Sequence, residues 1–211
     1  SEARVSEPSL LPAARDIAKN LTTALSQDAR VDGPEDLVNF KLKQVARRAG
    51  GLLAVPLYPN HRELAVEMGW ITVGVRLAIA FGGLMLEDPD VKKKVGAAEP
   101  EDMQLDAARE ILNITSAAFN LQLEAEGWES GVRVGELVQL TPDDVENRRL
   151  TLTDDAVTGL YKITFPGVDI PALTKRCGSL AVAFAPDVDD EMVPPRILVS
   201  EETGTSPSGA A

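Results

Sequence analysis

Residues 107–117, AAREILNITSA, largely repeat residues 13–24, AARDIAKNLTTA, which are one residue longer. Apolar residues recur at helical spacing in both copies, so each copy predicts an amphipathic helix. Each helix also carries one acid and one amide on a shared face. A repeat of this kind predicts a domain built from two related halves, each contributing one such helix.

The spacing between acid and amide differs between the two copies. Glu110 and Asn113 lie three residues apart, so their Cβ atoms are neighbours, roughly 5–6 Å apart, on a helix surface. Asp16 and Asn20 lie four residues apart, which shifts the amide relative to the carboxylate. Only the second copy keeps the tighter spacing, at which both groups can engage one ligand.

The second helix is predicted over residues 105–124. At about 100° per residue, its polar side chains gather within about a third of the circumference: Asp106, Arg109, Glu110, Asn113, Asn120 and Glu124. An amide cannot act as a base near neutral pH, but it can orient a water molecule, as glutamine does in small GTPases. The stripe therefore suggests hydrolysis of a phosphoryl group, with the amide positioning the attacking water. Glu and Asn at this spacing also occur on ordinary solvated helix faces.

Composition favours a single folded domain with a protein partner. The chain has 211 residues, 44% of them hydrophobic, which is enough for one substantial core. Its net charge of −12 argues against nucleic acid and anionic membranes, which need clustered Lys and Arg, and favours a basic-faced protein. With one cysteine, Cys177, and no secretory signal pattern, we expect a cytoplasmic protein.

We expect one domain over residues 1–192 and a disordered tail over residues 193–211, whose end is rich in Gly, Ser, Thr and Pro. The first helix is predicted over residues 9–27, a turn over residues 32–34, and a linker between the halves over residues 87–102. Strands are predicted over residues 37–45 and 51–58, forming a hairpin, and over residues 133–140, 149–153, 160–165 and 179–185. Pro56 suggests that its strand lies at an edge or bulges there.

A long helix is predicted over residues 61–86, and its apolar part approaches membrane-spanning length. Arg76 near the middle would cost about 2.5–3.5 kcal/mol in a membrane, so we favour a packed core helix and keep a membrane span as the alternative. His61 is the only histidine, which excludes Ser-His-Asp and His-rich metal sites. The acidic run over residues 187–191 also lacks the spacing of a calcium loop, so the sequence predicts no metal site.

The segment 105–117, LDAAREILNITSA, resembles the active-site helix of the CheX/CheC/FliY chemotaxis phosphatases. Their motif is Asp or Ser, three residues, Glu, two residues and Asn, and Asp106, Glu110 and Asn113 match all three positions. Leu140-Thr141-Pro142 resembles the strand-end segment with that family's downstream proline, which comes several residues later here. The resemblance covers about residues 9–186, weakly outside the motif helix, and is closest to CheX.

The resemblance implies an α/β (α+β) fold of two pseudo-symmetric halves, with long helices packed on an antiparallel sheet. It implies a phosphatase that hydrolyses the aspartyl phosphate of a CheY-like response-regulator receiver domain. Asn113 would position the attacking water, Glu110 would pair with a receiver lysine, and Asp106 would flank the site as a partner-binding residue. The receiver would supply Mg²⁺, so the chain would need no cofactor of its own. A homodimer is also implied.

CheC-like members carry two working helices, and Asp16 with Asn20 would form the second site here. Because the acid is shorter and the spacing is four, we interpret it as a degenerate site retained for packing. Two other hypotheses remain open. One is a non-catalytic CheX-like adaptor that binds a receiver or a flagellar-switch-like partner, and the other is a structural domain with an accidental motif.

Overall fold

The computed structural model describes residues 10–37, 39–60, 67–96, 99–128, 131–147, 157–171, 173 and 179–184. Its elements follow in chain order: α1 (Ala14–Leu25), β1 (Arg30–Glu35), α2 (Asn39–Ala49), β2 (Leu52–Pro59), β3 (Gly69–Gly74), α3 (Val75–Met85), α4 (Val91–Lys94), α5 (Asp102–Ala125), β4 (Val132–Val134), β5 (Val138–Leu140), α6 (Pro142–Asn147), β6 (Val157–Thr164) and β7 (Ser179–Phe184). The two repeated segments are therefore both helical, in α1 and α5.

The described strands form one antiparallel sheet in the order β1-β6-β7-β3-β2-β4, with β5 also paired to β2. β4 pairs with residues 57–59 of β2, and β5 pairs with residues 52–54. Read from either border inward, the two halves of the sheet have the same arrangement. β1 corresponds to β4/β5, β6 to β2, and β7 to β3. The chain order α1-β1-α2-β2-β3 likewise matches α5-β4/β5-α6-β6-β7. The prediction of two pseudo-symmetric halves on an antiparallel sheet is confirmed.

Successive side chains of a strand point to opposite faces of a sheet, and helices cover both faces here. On one face, α1, α3 and α5 pack around a core that includes Ile17, Phe81 and Phe119. On the other face, α2 and α6 pack around Trp70 and Leu160. The two central strands β3 and β7 are buried at every residue, which explains their continuous apolar sequences.

Tyr161 ties the segment before α1 to the sheet. Its hydroxyl donates a hydrogen bond to the Pro12 carbonyl oxygen at 2.6 Å, across the buried side of β6. Burial raises the pKa of Tyr161, so the hydroxyl remains protonated and continues to donate.

Three predictions for residues 32–51 are wrong. Residues 37–45, predicted as a strand, lie largely in α2, and the predicted turn at residues 32–34 lies within β1, where the register shifts between Asp32 and Glu35. The buried residues of α2 follow helical rather than alternating spacing: Leu42, Val45, Ala46 and Ala49. Instead of the predicted hairpin, α2 leads into β2 through Gly50 and Gly51, at φ +73° and +110°.

The strand that holds Pro56 does not lie at the edge of the sheet, but its pairing with β5 and β4 shifts by one residue at Pro56, as in a β-bulge whose extra residue lies on the border strand. β2 is second from the edge, and its pairing partner changes from β5 to β4 around Pro56. The Pro56 carbonyl oxygen accepts a hydrogen bond from the Gly135 N–H, 2.9 Å away, between the two short strands. The missing proline N–H therefore falls where the ladder is interrupted.

The predicted long helix is also wrong over residues 69–74, which form β3; only Val75–Met85 is helical. A short apolar run buried on both sides has no periodicity that separates strand from helix. In the described part of the chain, no helix combines the length and apolar character needed to cross a membrane. Residues 61–66, the predicted strand over residues 149–153 and the predicted tail lie outside the described residues.

Gly69 provides a test of the central strand pairing. A Cβ added there would lie 2.0 Å from the Ala183 carbonyl oxygen, so backbone would have to move. We expect Gly69→Ala to lower the free energy of unfolding by about 1–3 kcal/mol in urea titrations followed by circular dichroism.

Gly96→Ala is the matched control, because its added Cβ would meet only an ordinary contact, 3.7 Å from the Lys93 carbonyl oxygen. Equal unfolding free energies for the two variants would contradict the close approach of β3 and β7.

Candidate functional site

The site is built on α5, whose orientation is fixed by its ends and its buried face. Glu101 and Gln104 form a capping box at the amino-terminal end. Ala108, Ile111 and Leu112 are buried in the core shared with α1, α3 and the sheet. The opposite face of α5 is therefore held toward solvent in one orientation.

Asp106, Glu110, Asn113 and Ala117 are exposed along that outer face. Within the described residues, the Glu110 and Asn113 side chains make no hydrogen bond and no ion pair. Their three-residue separation keeps the two Cβ atoms roughly 5–6 Å apart. A carboxylate and an amide are thus both available to one external ligand.

Asp106 differs from Glu110 because it is already paired. Its Oδ1 lies 2.7 Å from Nη1 of Arg109, and the two side chains are 75% and 56% exposed. An exposed pair at this helical spacing contributes only about 0.2–0.5 kcal/mol. A cation from a partner could therefore replace Arg109 at little cost.

A groove of about 280 Å³ lies beside Asn113, between α5 and the segment that joins β4 to β5. Buried Val55 and Leu112 line its base, and Arg109, Asn113 and Glu136 contribute exposed polar groups. Sequence reasoning missed this groove because it treated residues 133–140 as one strand. Gly135 within that stretch was the available signal, since glycine inside a strand often marks an interruption or a close approach.

Asn120 has a different role from Asn113, although both were assigned to the polar stripe. Asn120 Nδ2 donates to the Val132 carbonyl oxygen at 3.0 Å, and the Val132 N–H donates to Asn120 Oδ1 at 2.8 Å. The half-buried amide thereby satisfies both backbone groups of Val132 and fastens β4 to α5.

In α1 the exposed positions include Arg15, Lys19 and Thr23, whereas Asp16 and Asn20 are half-buried. Aligning the two copies without a gap places Lys19 at the position of Asn113. The burial agrees with this alignment, because it pairs exposed Thr23 with exposed Ala117, whereas a gapped alignment would pair Thr23 with buried Ser116. The first helix therefore presents an ammonium group where the second presents an amide.

The Leu140-Thr141-Pro142 segment ends β5 and begins α6. Thr141 Oγ1 accepts from the Asp144 N–H at 3.1 Å, and Asp144 Oδ2 accepts from the Thr141 N–H at 2.9 Å. Pro142 occupies the first helical position, which tolerates its missing N–H, and it does not line the groove beside Asn113. Its local role is to start α6.

Among the described residues, no group of three or more His, Cys, Asp and Glu side chains is arranged to hold a metal ion.

Several solved structures share this fold. FliY of Thermotoga maritima is 16% identical, with a TM-score of 0.55, over 83% of this chain and 85% of the FliY chain. The FliM middle domain of Vibrio alginolyticus is 13% identical, with a TM-score of 0.55, over 82% of this chain and 88% of that domain. FliM in a FliG–FliM complex from H. pylori is 8% identical, with a TM-score of 0.54, over 82% and 86% of the two chains.

These likenesses establish the fold, which is the one that the motif helix implies, but they do not single out CheX. No protein-family model and no curated protein sequence matches the chain.

The two asparagines of α5 can be separated by stability measurements. Asn120→Ala should lower the free energy of unfolding by about 1–3 kcal/mol, because it leaves the Val132 backbone groups without their partner. Asn113→Ala should change it by less than about 0.5 kcal/mol, as expected for an exposed side chain without described contacts. Urea titration measures both, and a large loss for Asn113→Ala would indicate a structural role instead.

Proposed function

We propose that this chain is a phosphatase of the aspartyl phosphate on a CheY-like receiver domain, and that Asn113 positions the attacking water. The observation that carries the proposal is the adjacent, exposed pair Glu110 and Asn113, which binds no other described side chain and lies on a helix whose other face is buried. Its match to the chemotaxis phosphatase motif and the FliY-like fold support the same assignment.

In this mechanism the chain contributes positioning rather than proton transfer. The Asn113 amide has one acceptor oxygen and two donor hydrogens, so it can accept a hydrogen bond from water and donate another toward a phosphoryl oxygen. Holding water in line with the phosphorus atom lowers the entropic part of the barrier. Ala117, one turn further along, is small and exposed, which leaves room for the receiver to approach.

Glu110 would supply the recognition charge. Its carboxylate has no described cation partner, and a lysine of the receiver could pair with it while the phosphoryl group reaches Asn113. Asp106 could bind a second cation by exchanging its exposed pair with Arg109. The net charge of −12 favours a partner with a basic face. Mg²⁺ would belong to the receiver, and the proposed setting is the cytoplasm.

The first helix would not act as a second site in this proposal. Lys19 occupies the exposed position that corresponds to Asn113, and an ammonium group has three donors but no acceptor for a water hydrogen. Asn20, half-buried one position further along, would contribute packing instead.

The direct test is phosphate release from a CheY-type receiver that has been phosphorylated with acetyl phosphate, freed of the donor and supplied with Mg²⁺. We expect wild type to accelerate release and Asn113→Ala to lose about 10²–10³-fold in turnover, as for other positioned polar groups. Asn20→Ala, the matched amide on α1, should retain wild-type turnover.

Equal turnover by wild type and Asn113→Ala would refute the mechanism. Equal losses in Asn113→Ala and Asn20→Ala would instead show that both helices act.

Glu110→Ala tests recognition separately. It should raise KM about tenfold, which corresponds to about 1.4 kcal/mol of lost binding, with less effect on kcat. The difference should shrink as salt is increased, because the interaction is between exposed charges. Glu124→Ala, another exposed glutamate of α5, is the control and should leave KM unchanged. A fall in kcat alone would place Glu110 in the chemical step.

The second candidate function is a non-catalytic adaptor with the same fold. FliM structures of this fold include complexes with FliG and with SpeE, so the fold also occurs in proteins that bind partners. Several large apolar side chains are exposed here and could serve such contacts, among them Met85, Leu86, Met103 and Leu121. Receiver binding without accelerated release would favour the adaptor.

The homodimer implied by the CheX-like resemblance belongs to either candidate.

A further inference from the structure

A second cavity, of about 90 Å³, lies on the opposite face of the sheet from α5, between α2 and the β6–β7 pair. Its polar lining consists of Glu35, Gln44, Arg48, Lys162 and Ser179. None of these residues belongs to the proposed phosphatase site. Its volume is well below the 300–1,000 Å³ typical of pockets for drug-sized ligands, so any ligand must be small.

Ser179 is the main indication that the cavity is built for a ligand. The residue is only 3% exposed, and its hydroxyl has no hydrogen-bond partner among the residues that the structure describes. Burying a hydroxyl without a partner is unfavourable, and such groups are uncommon in folded proteins. Ser179 thus lines the cavity with a hydroxyl group whose hydrogen-bonding capacity is unused among the described residues.

The local geometry brings cationic and neutral donors to the same place. Lys162 and Ser179 are direct partners in the β6–β7 ladder, so their side chains lie side by side on one face. Gln44 and Arg48 are four residues apart on α2 and share the helix face that lines the cavity. Two strands and one helix therefore place four side chains with donor groups around one cavity.

The charge balance favours an anion even with a carboxylate present. Lys162 Nζ lies 3.1 Å from Glu35 Oε1, and this pair is partly exposed. An ammonium group has three donor hydrogens, so the bond to Glu35 leaves two for a ligand. Arg48 adds a second positive charge and a planar fork that suits two oxygens of one oxyanion.

We propose that this cavity binds a small tetrahedral oxyanion of the phosphate type. Arg48 and Lys162 supply the charge, and the Ser179 hydroxyl and the Gln44 amide donate to the remaining oxygens. The site is independent of the phosphatase proposal, because it lies across the sheet from Asn113 and shares none of its residues.

The test is to titrate inorganic phosphate into the full chain at constant ionic strength and to measure Tm and binding heat. Sulfate and acetate form two further arms, which separate a tetrahedral dianion from a simple carboxylate. We expect a saturable rise in Tm with phosphate, a similar but smaller rise with sulfate and none with acetate. Arg48→Gln should weaken phosphate binding about tenfold or more.

Arg47→Gln is the matched control, since Arg47 neighbours Arg48 on α2 but does not line the cavity. Ser179→Ala should also weaken phosphate binding about tenfold, without lowering Tm in phosphate-free buffer, because it removes an unpaired buried hydroxyl. If Arg48→Gln fails to fold, Ser179→Ala therefore still tests whether the cavity binds phosphate. A response that is absent, unsaturable or equal in Arg48→Gln and Arg47→Gln would overturn the proposal.

Discussion

The backbone ladder between β3 and β7 holds the two halves of the chain together. It runs from the Gly69–Phe184 pair to the Val73–Leu180 pair, and both strands are covered on both faces. Water cannot replace a hydrogen bond broken there, so the ladder is costly to open. Three helices, α2, α3 and α5, pack directly against β3.

The same ladder determines where α5 lies. Phe119, in the second half of α5, packs edge-on against Phe184 of β7 with ring centroids 4.9 Å apart, and Trp128 contacts the same ring at 5.7 Å. One helix therefore performs three tasks: its inner face anchors it to β7, Asn120 on its flank fastens β4, and its outer face presents Glu110 and Asn113. A positioned amide is useful only on a support that does not move, and the buried face of α5 supplies that support.

The sequence predicted the features that depend on local periodicity and repetition. Both amphipathic helices were found because buried residues such as Ile17 and Ile111 recur at helical spacing, and the repeat itself indicated the two halves. Prediction from the sequence failed where tertiary contacts decide the secondary structure. Leu42 and Val45 fit either a strand or a helix until the sheet they cover is known, and residues 69–74 have no polar face because both sides are buried. The groove beside Asn113 could not be predicted either, since it requires the interruption at Gly135 and the approach of β2. The position of Lys19 could be recognised only from the structure. The pattern of exposed residues on α1 and α5 favours the alignment without a gap, in which Lys19 corresponds to Asn113.

The two outer borders of the described sheet share one property. β1 pairs regularly only from Arg30 to Asp32 before its register shifts, and the opposite border is divided into β4 and β5, each three residues long. A foreign strand needs a long, even row of free N–H and C=O groups to attach itself, and short or bulged borders deny it that row. This sheet is therefore protected from growing strand by strand into a fibre.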